Sequence, residues 1–536
     1  MIHHNLLLII SLFFLMALLY IISQRIKISY PIFLVIGGLI ISFIPKMPNI
    51  SVNPDMVFLI FLPPLLFSAA WNTSWNSFMK WRRSIFLLGF GLVFVTSLAL
   101  AYYSVNALPG FTLALGFLLG GIISPPDAVA AASVLKGVKI PKRGLTTLEG
   151  ESLVNDAASL TVFSFASMAI TKGNFVAQDA VVNFLELSVM GIFVGLVIGH
   201  ILYLVLRFWA KSSSITTPIT LIAPYLMYII AEELHWSGVL AVVSGGLFLS
   251  FRSKDFLNYH TRIQTKEVME TIDFLLNGFV FILIGLELPF IMDGLKGSYD
   301  VKTAIKYGLL VVAIVIVLRI IMVYIMEYVP RWLSPTIRRR EKSPGWKYPF
   351  IVGWAGMRGV VSLASALSIP LYLDDGVTPF PQRNLILFIT FVVILVTLVF
   401  QGLTLPIFIK FLKVEEIDDY VPDDEQIEDI RYRMALNAVE YLDENYSEEM
   451  EEYESISRIK EQLSRSVAAT DRSRDQGSES LQVGKSRKLY KNIMLDLIAQ
   501  RRLYLRKLED EKKYEDYIIR DIEDNLDLEE ARLNKQ

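Results

Sequence analysis

The sequence contains no cysteine, which excludes disulfide bonds, thiol nucleophiles and cysteine-ligated metal sites. Charged residues are also scarce, at 19% of the 536 positions, whereas aliphatic and aromatic residues make up 53%. The mean hydropathy is +0.47. Soluble chains of this length rarely have so apolar a composition, so the sequence indicates an integral membrane protein.

Other common functional signatures are missing as well. The chain has no glycine-rich nucleotide-binding motif and no metal-ligand spacing, and His200 and His235 are isolated residues at helix ends. We therefore predict that the protein is not an enzyme, has no cofactor and binds no nucleic acid. The first apolar run follows "MIHHN" without a basic n-region or a cleavage site, so we expect a retained membrane helix.

The chain divides into two parts by hydropathy. Residues 1–412 are predicted to form a transmembrane domain, and residues 413–536, rich in charged side chains, a cytoplasmic and mostly helical tail. The first part contains thirteen segments with the length and apolar character of membrane-spanning helices. These predicted spans are, in order, 5–23, 30–45, 55–70, 84–108, 111–135, 150–171, 180–206, 216–231, 237–251, 271–293, 304–328, 348–369 and 384–410.

The charges of the loops give an independent test of this count. Alternate loops, beginning with "QRIKIS", contain 21 lysines and arginines, whereas the loops on the other side contain 5. Loops rich in lysine and arginine remain on the cytoplasmic side of a membrane. The pattern therefore predicts an all-α, multi-pass protein of the cell (inner) membrane, with its N-terminus outside and its tail in the cytoplasm.

Two spans contain helix-breaking residues in mid-membrane. Span 5 contains "GGIISPPDAVAA" (120–131) and span 12 contains "GWAGMRGVVS" (353–362). The breaking residues are Pro125, Pro126, Gly356 and Gly359. The two spans are seven apart and run in opposite directions, as expected of an inverted repeat of spans 1–6 and 8–13. Glycine and proline also serve as ordinary kinks in membrane helices, but matched breaks that carry charges indicate a transporter binding site.

The break in span 5 contains an acid. Asp127 follows two prolines, which lack N–H groups, so the carbonyls of residues 121–123 lose their helical donors. Free carbonyls beside a carboxylate are suitable ligands for a cation. We therefore predict that Asp127 and these carbonyls line a cation site.

Span 6 places further polar side chains in the membrane. Ser152 and Asp156 are four residues apart and share one helix face. Glu151 and Asn155 share a second face, rotated by about 100° from the first. We predict that the first face binds the ion and that the second supports the site.

Two arginines accompany these acids. Arg319 lies near the middle of span 11, and we expect it to pair with Glu151 because an unpaired charge in the bilayer is costly. Arg358 lies in the break of span 12, where we expect it to stabilise the facing helix ends and Asp127. Asp156 is then left without a counter-ion. The remaining acids fall near helix ends, where their side chains can reach water, and are Glu186, Glu287, Asp293 and Glu327.

A single unpaired acid suggests a mechanism. Burial at low dielectric constant disfavours the ionised carboxyl group, and a bound cation favours it, so proton and cation compete for Asp156. If the site opens alternately to each side and does not reorient while empty and charged, one cation exchanges for one proton. The charges thus predict electroneutral antiport.

Six segments in the membrane part form a recognisable ordered set. They are "LPPLLFSAAW" (62–71), "SPPDAVAAASVL" (124–135), "EGESLVNDAASLTVF" (149–163), "GVLAVVSGGLFLS" (238–250), "LRIIMVY" (318–324) and "GMRGVVSLA" (356–364). Together they resemble the sodium/proton exchanger family, the monovalent cation:proton antiporters of the NhaP type. The resemblance implies a thirteen-helix inverted-repeat fold, a homodimer, and a six-helix core that moves against a dimerisation domain.

The resemblance also implies roles for individual residues. By position, Asp156 is the aspartate that binds ion and proton, and Asp127 and Ser152 are further ligands of the transported Na⁺. Supporting roles are implied for Asn155, Glu151, Arg319 and Arg358. An asparagine before the aspartate is the form associated with electroneutral exchange.

The chain departs from the family pattern at two positions. Pro126 stands where prokaryotic relatives often have threonine, so that only the backbone can contribute an oxygen there. Ser68 stands where relatives have an acid after "LPPLLF", which removes one candidate partner of Arg358 and favours Asp127 instead.

The tail is predicted to contain helices over about 424–463 and 486–531, separated by a polar break at 464–480. In the second helix an apolar stripe recurs every four residues, at Tyr514, Ile518, Ile522 and Leu526. The stripe is expected to pair with the other tail helix, a second subunit or the membrane part, unless the tail is a partly disordered charged extension.

The sequence leaves the transported cation open. Carboxylates, a hydroxyl and carbonyls bind Na⁺, K⁺ or Li⁺, so a potassium/proton antiporter is the alternative within the same fold. A channel or a membrane receptor is a further alternative from another class. No selectivity-filter loop and no recognisable output domain support it.

Overall fold

The computed structural model describes residues 2–26, 28–44, 54–135, 138, 140–172, 177–210, 212–296, 299–373, 377–416, 423–475, 480–510 and 516–534. Within these ranges the regular elements are helices, and β pairing is limited to one isolated bridge between Tyr372 and Pro379. The chain forms two compact units, Met1–Asp419 and Tyr420–Gln536.

The first unit consists of helices α1 to α19 over the described residues. Their bounds are α1 Ile2–Ile26, α2 Tyr30–Ser42, α3 Pro54–Asn72, α4 Trp75–Phe86, α5 Val93–Ala107, α6 Leu113–Ile123, α7 Ala128–Leu135, α8 Lys142–Lys172, α9 Ala177–Phe208, α10 Ser213–Glu233, α11 Gly238–Phe256, α12 Tyr259–Leu286, α13 Leu288–Leu295, α14 Val301–Leu333, α15 Pro335–Arg340, α16 Lys347–Trp354, α17 Val360–Leu367, α18 Arg383–Val396 and α19 Gly402–Leu412. Short π-helical stretches, Leu87–Leu92 and Thr397–Gln401, join α4 to α5 and α18 to α19.

Many of these helices have the dimensions of membrane spans. Among the described residues, eight helical stretches are long and apolar enough to cross a bilayer, by length and composition. They are Trp75–Ala107, Leu113–Leu135, Lys142–Thr171, Leu185–Phe208, Ser213–Glu233, His260–Leu295, Val301–Leu333 and Arg383–Leu412. Three shorter apolar helices cover Ile10–Ile26, Tyr30–Ser42 and Leu59–Asn72. The protein is thus an all-helical, multi-pass membrane protein.

Both predicted helix breaks are present. α6 ends at Ile123 and α7 begins at Ala128, because Pro125 and Pro126 cannot donate the hydrogen bonds that would continue α6. α16 ends at Trp354 and α17 begins at Val360, and the intervening "AGMRG" contains two glycines, which are poor helix formers.

A close contact between α6 and α8 brings the first break next to the polar stretch of α8. A Cβ atom on Gly121 would lie 2.8 Å from the backbone nitrogen of Phe163 and 3.1 Å from its Cα. Glycine therefore lets the two backbones approach at this point. As a result, the residues after α6 lie beside the residues between Glu151 and Asp156.

The second unit consists of helices α20 to α24 over the described residues. Their bounds are α20 Asp423–Asn445, α21 Ser447–Glu452, α22 Glu454–Asp475, α23 Ser480–Asp510 and α24 Asp516–Asn534. The expectation of a continuous helix over 424–463 is wrong, because α20 ends at Asn445 and two further helices follow. The expected break at 464–480 is also wrong over most of its length, since α22 continues to Asp475. An ion pair of 2.5 Å between Glu461 and Arg465, one turn apart, supports this extension.

α23 and α24 pack against each other through a small apolar core. Ile498 and Leu505 of α23 are buried together with Leu526 and Leu533 of α24. Arg501 and Glu529, 3.0 Å apart, form an ion pair between the same two helices. This pairing joins two parts of the segment 486–531, which was predicted as one helix, so it differs from the expected pairing with the other tail helix.

The stripe itself differs from the expected one. Leu526 is buried, but Ile522 is 43% exposed, and Tyr514 lies outside the described residues. The buried positions of α24 are seven residues apart, because two helices that pack lengthwise share a narrow seam with a period close to 3.5.

Candidate ion-binding site

A cavity of about 60 Å³ lies where the two helix breaks meet α8. The carboxyl groups of Asp127 and Asp156 and the hydroxyl group of Ser152 line it together. The full lining is Leu62, Leu65, Leu66, Ala69, Pro125, Pro126, Asp127, Val129, Ser152, Leu153, Asp156, Asn277, Gly359, Val360, Val361 and Ser362. The structure thus brings together the three residues that the sequence assigned to the ion.

Asp156 is 6% exposed, and its carboxylate has no hydrogen bond or ion pair to any part of the chain that the structure describes. It faces the cavity from one turn beyond Ser152, as expected from their spacing on α8. A buried charge without a partner is costly, so this carboxyl group has to bind a proton or a cation.

Asp127 caps the N-terminus of α7. Its Oδ1 accepts hydrogen bonds from the backbone N–H groups of Val129, at 2.8 Å, and Ala130, at 3.2 Å. Its Oδ2 is buried and has no hydrogen-bond partner among the described residues. One carboxylate oxygen is therefore fixed by the helix, while the other is available to an ion in the cavity.

Hydrogen bonds from the backbone and from the side chain of Arg358 join the two breaks directly. The N–H group of Asp127 donates to the carbonyl of Met357 at 2.7 Å. The guanidinium of Arg358 donates to the carbonyl of Ile123 at 3.0 Å and to that of Ser124 at 3.4 Å. Arg358 also donates to the carbonyl of Gly356. The cation of one break thus neutralises the C-terminal end of the half-helix in the other.

These contacts correct two expectations. No carboxylate of the described residues lies within ion-pair distance of Arg358, so the proposed pairing with Asp127 is wrong; α6 presents its carbonyls to the guanidinium instead. Two of the three carbonyls freed near the prolines are also bound within the protein. Ile123 accepts from Arg358, and Gly121 accepts from the hydroxyl of Ser124 at 3.4 Å.

The predicted pair of Glu151 and Arg319 is present. The two side chains form a bidentate ion pair with N–O distances of 2.6 and 2.9 Å, and both are fully buried. Two parallel charge-assisted bonds are the strongest arrangement available to these groups. The pair faces away from the cavity and links α8 to α14.

Asn155 supports the site from the same face of α8 as Glu151. Its side-chain amide donates to the carbonyl of Pro126 at 3.3 Å. This carbonyl belongs to the first break, so a neutral amide stabilises the backbone beside Asp127 without adding charge. The amide oxygen of Asn155 is buried and has no partner among the described residues.

Two acids that were expected to lie at the membrane surface are buried. Glu327 is 1% exposed and pairs with the fully buried guanidinium of Arg143 at 2.6 Å. Glu287 is also buried, at the junction of α12 and α13. A position near the end of a helix did not predict exposure of these two acids, because neighbouring helices cover the helix ends. Glu186 and Asp293 are exposed, as expected.

Two further polar residues of the cavity were not predicted from the sequence. Asn277 of α12 and Ser362 of α17 line it, and the hydroxyl of Ser362 is buried without a hydrogen-bond partner among the described residues. Asn277 lies outside the quoted motifs, and Ser362 is the last residue of the motif 353–362 that contains Arg358 but was not assigned to the ion. A polar side chain in an otherwise apolar span was the available signal.

Gly359 provides a test of this geometry. A Cβ atom at this position would overlap the carboxylate of Asp127, so Gly359→Ala is expected to displace that side chain. We expect a loss of about 1–3 kcal/mol in folding free energy together with reduced cation binding. Thermal unfolding of the purified protein and binding of radioactive sodium measure the two effects.

The matched control is Gly91→Ala. A Cβ atom there would have Met322 Cε as its nearest neighbour, at 3.8 Å, which is an ordinary contact. This variant should unfold and bind sodium like the wild type. Equal behaviour of the two variants would contradict the close contact between Gly359 and Asp127.

The fold and the cavity together define a class of protein. A multi-pass helical protein with two broken helices beside an unpaired acid is a membrane transporter. Residues 10–411 match the family model described as "Sodium/hydrogen exchanger, transmembrane", and the chain therefore belongs to the sodium/hydrogen exchanger family. Members of this family are antiporters and not enzymes.

Two named antiporters are among the proteins similar to this chain. A "Sodium, potassium, lithium and rubidium/H(+) antiporter" of Bacillus pumilus is 31% identical, over 79% of this chain and 64% of its own length. The "Na(+)/H(+) antiporter ApNhaP" of Aphanothece halophytica is 33% identical, over 72% of this chain and 70% of its own length.

The fold is also that of a solved structure. The sodium proton antiporter MjNhaP1 from Methanocaldococcus jannaschii superimposes with a TM-score of 0.61. The superposition covers 77% of this chain and 99% of the other, at 20% sequence identity. The membrane unit is therefore an NhaP-like fold.

Proposed function

We propose that the protein is a secondary active transporter that exchanges Na⁺ for H⁺ across the cell membrane with a stoichiometry of one to one. The observation that carries this proposal is the unpaired carboxylate of Asp156, in a small cavity that it shares with Asp127 and Ser152. Two carboxyl groups and a hydroxyl offer oxygen ligands to a monovalent cation. Asp156 binds either this cation or a proton.

The electroneutral stoichiometry follows from the charges around the site. Glu151 and Arg319 neutralise each other, and Arg358 is held by backbone carbonyls. Asp127 is fixed at the N-terminus of α7, whose dipole favours its negative charge in every state. Asp156 is then the group that changes partner, so one proton leaves for each cation that enters.

The topology that we propose has thirteen spans. The eight long spans, the three shorter apolar helices, α11 and the broken pair α16–α17 together supply that number. The broken pairs α6–α7 and α16–α17 would then occupy matching positions of the inverted repeat. With the lysine- and arginine-rich loops in the cytoplasm, the N-terminus lies outside. We also expect a homodimer, from the family resemblance.

The principal alternative is a potassium/proton antiporter with the same site. The name of the Bacillus pumilus relative includes potassium, lithium and rubidium, so related sites accept cations of several sizes. The ligands in this cavity are carboxylate and hydroxyl oxygens, which do not by themselves select one of these ions.

Dissipation of a pH gradient in proteoliposomes tests the proposal. Addition of Na⁺ should collapse an imposed gradient at a rate that does not depend on the membrane potential. The same assay with K⁺ and Li⁺ identifies the preferred cation. A gradient that persists with every one of these cations would overturn the proposed function, and a rate that follows the potential would overturn the one-to-one stoichiometry.

Asn155 is the position where the stoichiometry can be changed. Asn155→Asp adds a second titratable group beside Asp156, so we expect exchange that is faster when the membrane potential drives an additional charge across. The readout is the exchange rate at potentials set by a potassium gradient and valinomycin. The control Asn155→Ser also removes the amide bond to Pro126 but adds no acid, and its exchange should remain independent of the potential.

A further inference from the structure

A second small cavity, of about 20 Å³, lies between α3, α10 and α12. Its polar lining consists of Ser68, Thr220 and Asp273, and the rest is apolar. A space of this size holds about one water molecule or one ion. None of these three residues has a role in the site described above.

The polar atoms of this second cavity are arranged to accept a cation. The hydroxyl of Ser68 donates to Asp273 Oδ2, and the hydroxyl of Thr220 donates to the carbonyl of Thr216 at 2.8 Å. Both hydroxyl hydrogens are thus occupied, which leaves oxygen lone pairs free. Asp273 Oδ1 has no hydrogen-bond partner among the described residues.

The position of Asp273 relates the second cavity to the first. Asp273 is four residues before Asn277 on α12, and Asn277 lines the cavity of Asp156. Along the axis of α12, Asp273 and Asn277 are therefore separated by about 6 Å, roughly one helical turn. In the proposed topology α12 begins at the cytoplasmic surface, so Asp273 lies on the cytoplasmic side of the ion-binding cavity.

The surroundings of Asp273 are poor in compensating charge. Glu270 on its own helix and the phenol of Tyr30 on α2 are the titratable groups that act on it, and the parts of α3 and α10 that line the cavity contribute no charged side chain. Ser68 accepts a hydrogen bond of 3.4 Å from the amide of Asn72. Among the described residues, the carboxylate of Asp273 therefore has no compensating positive charge on the helices that line this cavity.

We propose that Asp273, Ser68 and Thr220 form a second cation-binding site, which a monovalent cation occupies between the cytoplasm and Asp156. The inference rests on the proposed function for its place in the transport cycle. It also gives a reason for Ser68, since the acid that relatives have on α3 is replaced here by a serine hydrogen-bonded to an acid from α12.

The first test is the dependence of exchange on the cation concentration at the cytoplasmic face, measured in everted vesicles. Asp273→Asn keeps the shape and an acceptor oxygen for Ser68 but removes the charge. The half-saturating cation concentration should rise about tenfold, while the maximal rate stays within about twofold, because Asp156 still performs the exchange. A purely structural role for the Ser68–Asp273 bond predicts no change in half-saturation.

Two further variants separate a site from a general effect of charge. Glu270→Gln removes an acid one turn earlier on α12 that is exposed and paired with Lys266 at 3.7 Å, and it should leave half-saturation unchanged. The double variant with Ser68→Asp and Asp273→Ser exchanges the carboxylate and the hydroxyl between α3 and α12. It should recover at least part of the lost affinity. An equal effect of Glu270→Gln and Asp273→Asn would overturn the proposal.

Direct binding of radioactive sodium distinguishes this proposal from the proposed function. Purified full-length protein with Asp156→Asn should retain a weaker site, and addition of Asp273→Asn should remove it. This result does not require exchange activity, so it holds even if wild-type protein fails to collapse a pH gradient. Unchanged sodium binding after Asp273→Asn would show that the second site does not exist.

Discussion

Asp156→Asn is expected to reduce cation-driven collapse of a pH gradient to the background of vesicles without the protein. An amide has the shape of the carboxyl group but neither titrates nor neutralises a cation, so under the proposed mechanism proton and cation lose the group for which they compete. Proteoliposomes loaded with equal amounts of wild type and variant, and challenged with Na⁺, K⁺ and Li⁺ in turn, provide the measurement.

The fold of this variant should be preserved, which makes the loss of transport informative. The carboxylate has no protein partner among the described residues, so its replacement breaks no ion pair. We expect a melting temperature at or above that of the wild type, because a buried charge is removed. Asp293→Asn is the matched control, since Asp293 is exposed and pairs with Lys296 at 2.5 Å, and it should transport normally. Full exchange in Asp156→Asn would show that another group exchanges the proton.

Arg319→Met is expected to have the opposite profile, with a severe loss of stability. Removal of the guanidinium leaves the fully buried carboxylate of Glu151 without a counter-charge, which typically costs about 3–5 kcal/mol. The fraction of monodisperse protein after mild heating in detergent, compared with the wild type, reports this loss.

The double variant with Glu151→Gln and Arg319→Met removes both charges and isolates their contribution. Breaking one partner of a buried pair is far more costly than replacing both, so most of the lost stability should return. If the double variant is as unstable as Arg319→Met, the shape of the pair rather than its charge holds α8 to α14.

The sequence was sufficient to predict features that depend on local chemistry. Two prolines without N–H groups end α6, and the spacing of Ser152 and Asp156 places both on one face of α8. Glu151 and Arg319 could be paired because few charges in the membrane are available to each other. Each of these inferences needs only the residues of one helix or the small number of charged residues in the membrane segments.

Features that depend on packing between distant segments could not be predicted in the same way. Asn277 lies outside the quoted motifs, and Ser362 lies close to Arg358 but was not assigned to the ion. Asp273 meets Ser68 from 205 residues away. Arg358 donates to backbone carbonyls and forms no ion pair with an acid among the described residues. The orientation of the two half-helices determines which atoms face its guanidinium. The serine at position 68, where relatives have an acid, was the one feature of the sequence that pointed to a carboxylate supplied by another helix.

The hydrogen bonds between the two breaks determine which parts of the protein can move separately. The bond between Asp127 and Met357 and the bond between Arg358 and Ile123 hold the two broken helices together as one body, which includes the carboxylate of Asp127. The facing wall from α3 consists of Leu62, Leu65, Leu66 and Ala69, whose hydrocarbon surfaces can slide without breaking a polar contact. For the proposed exchange mechanism, we therefore expect the ion to be exposed to each side in turn by a displacement of the two broken helices along this apolar surface of α3.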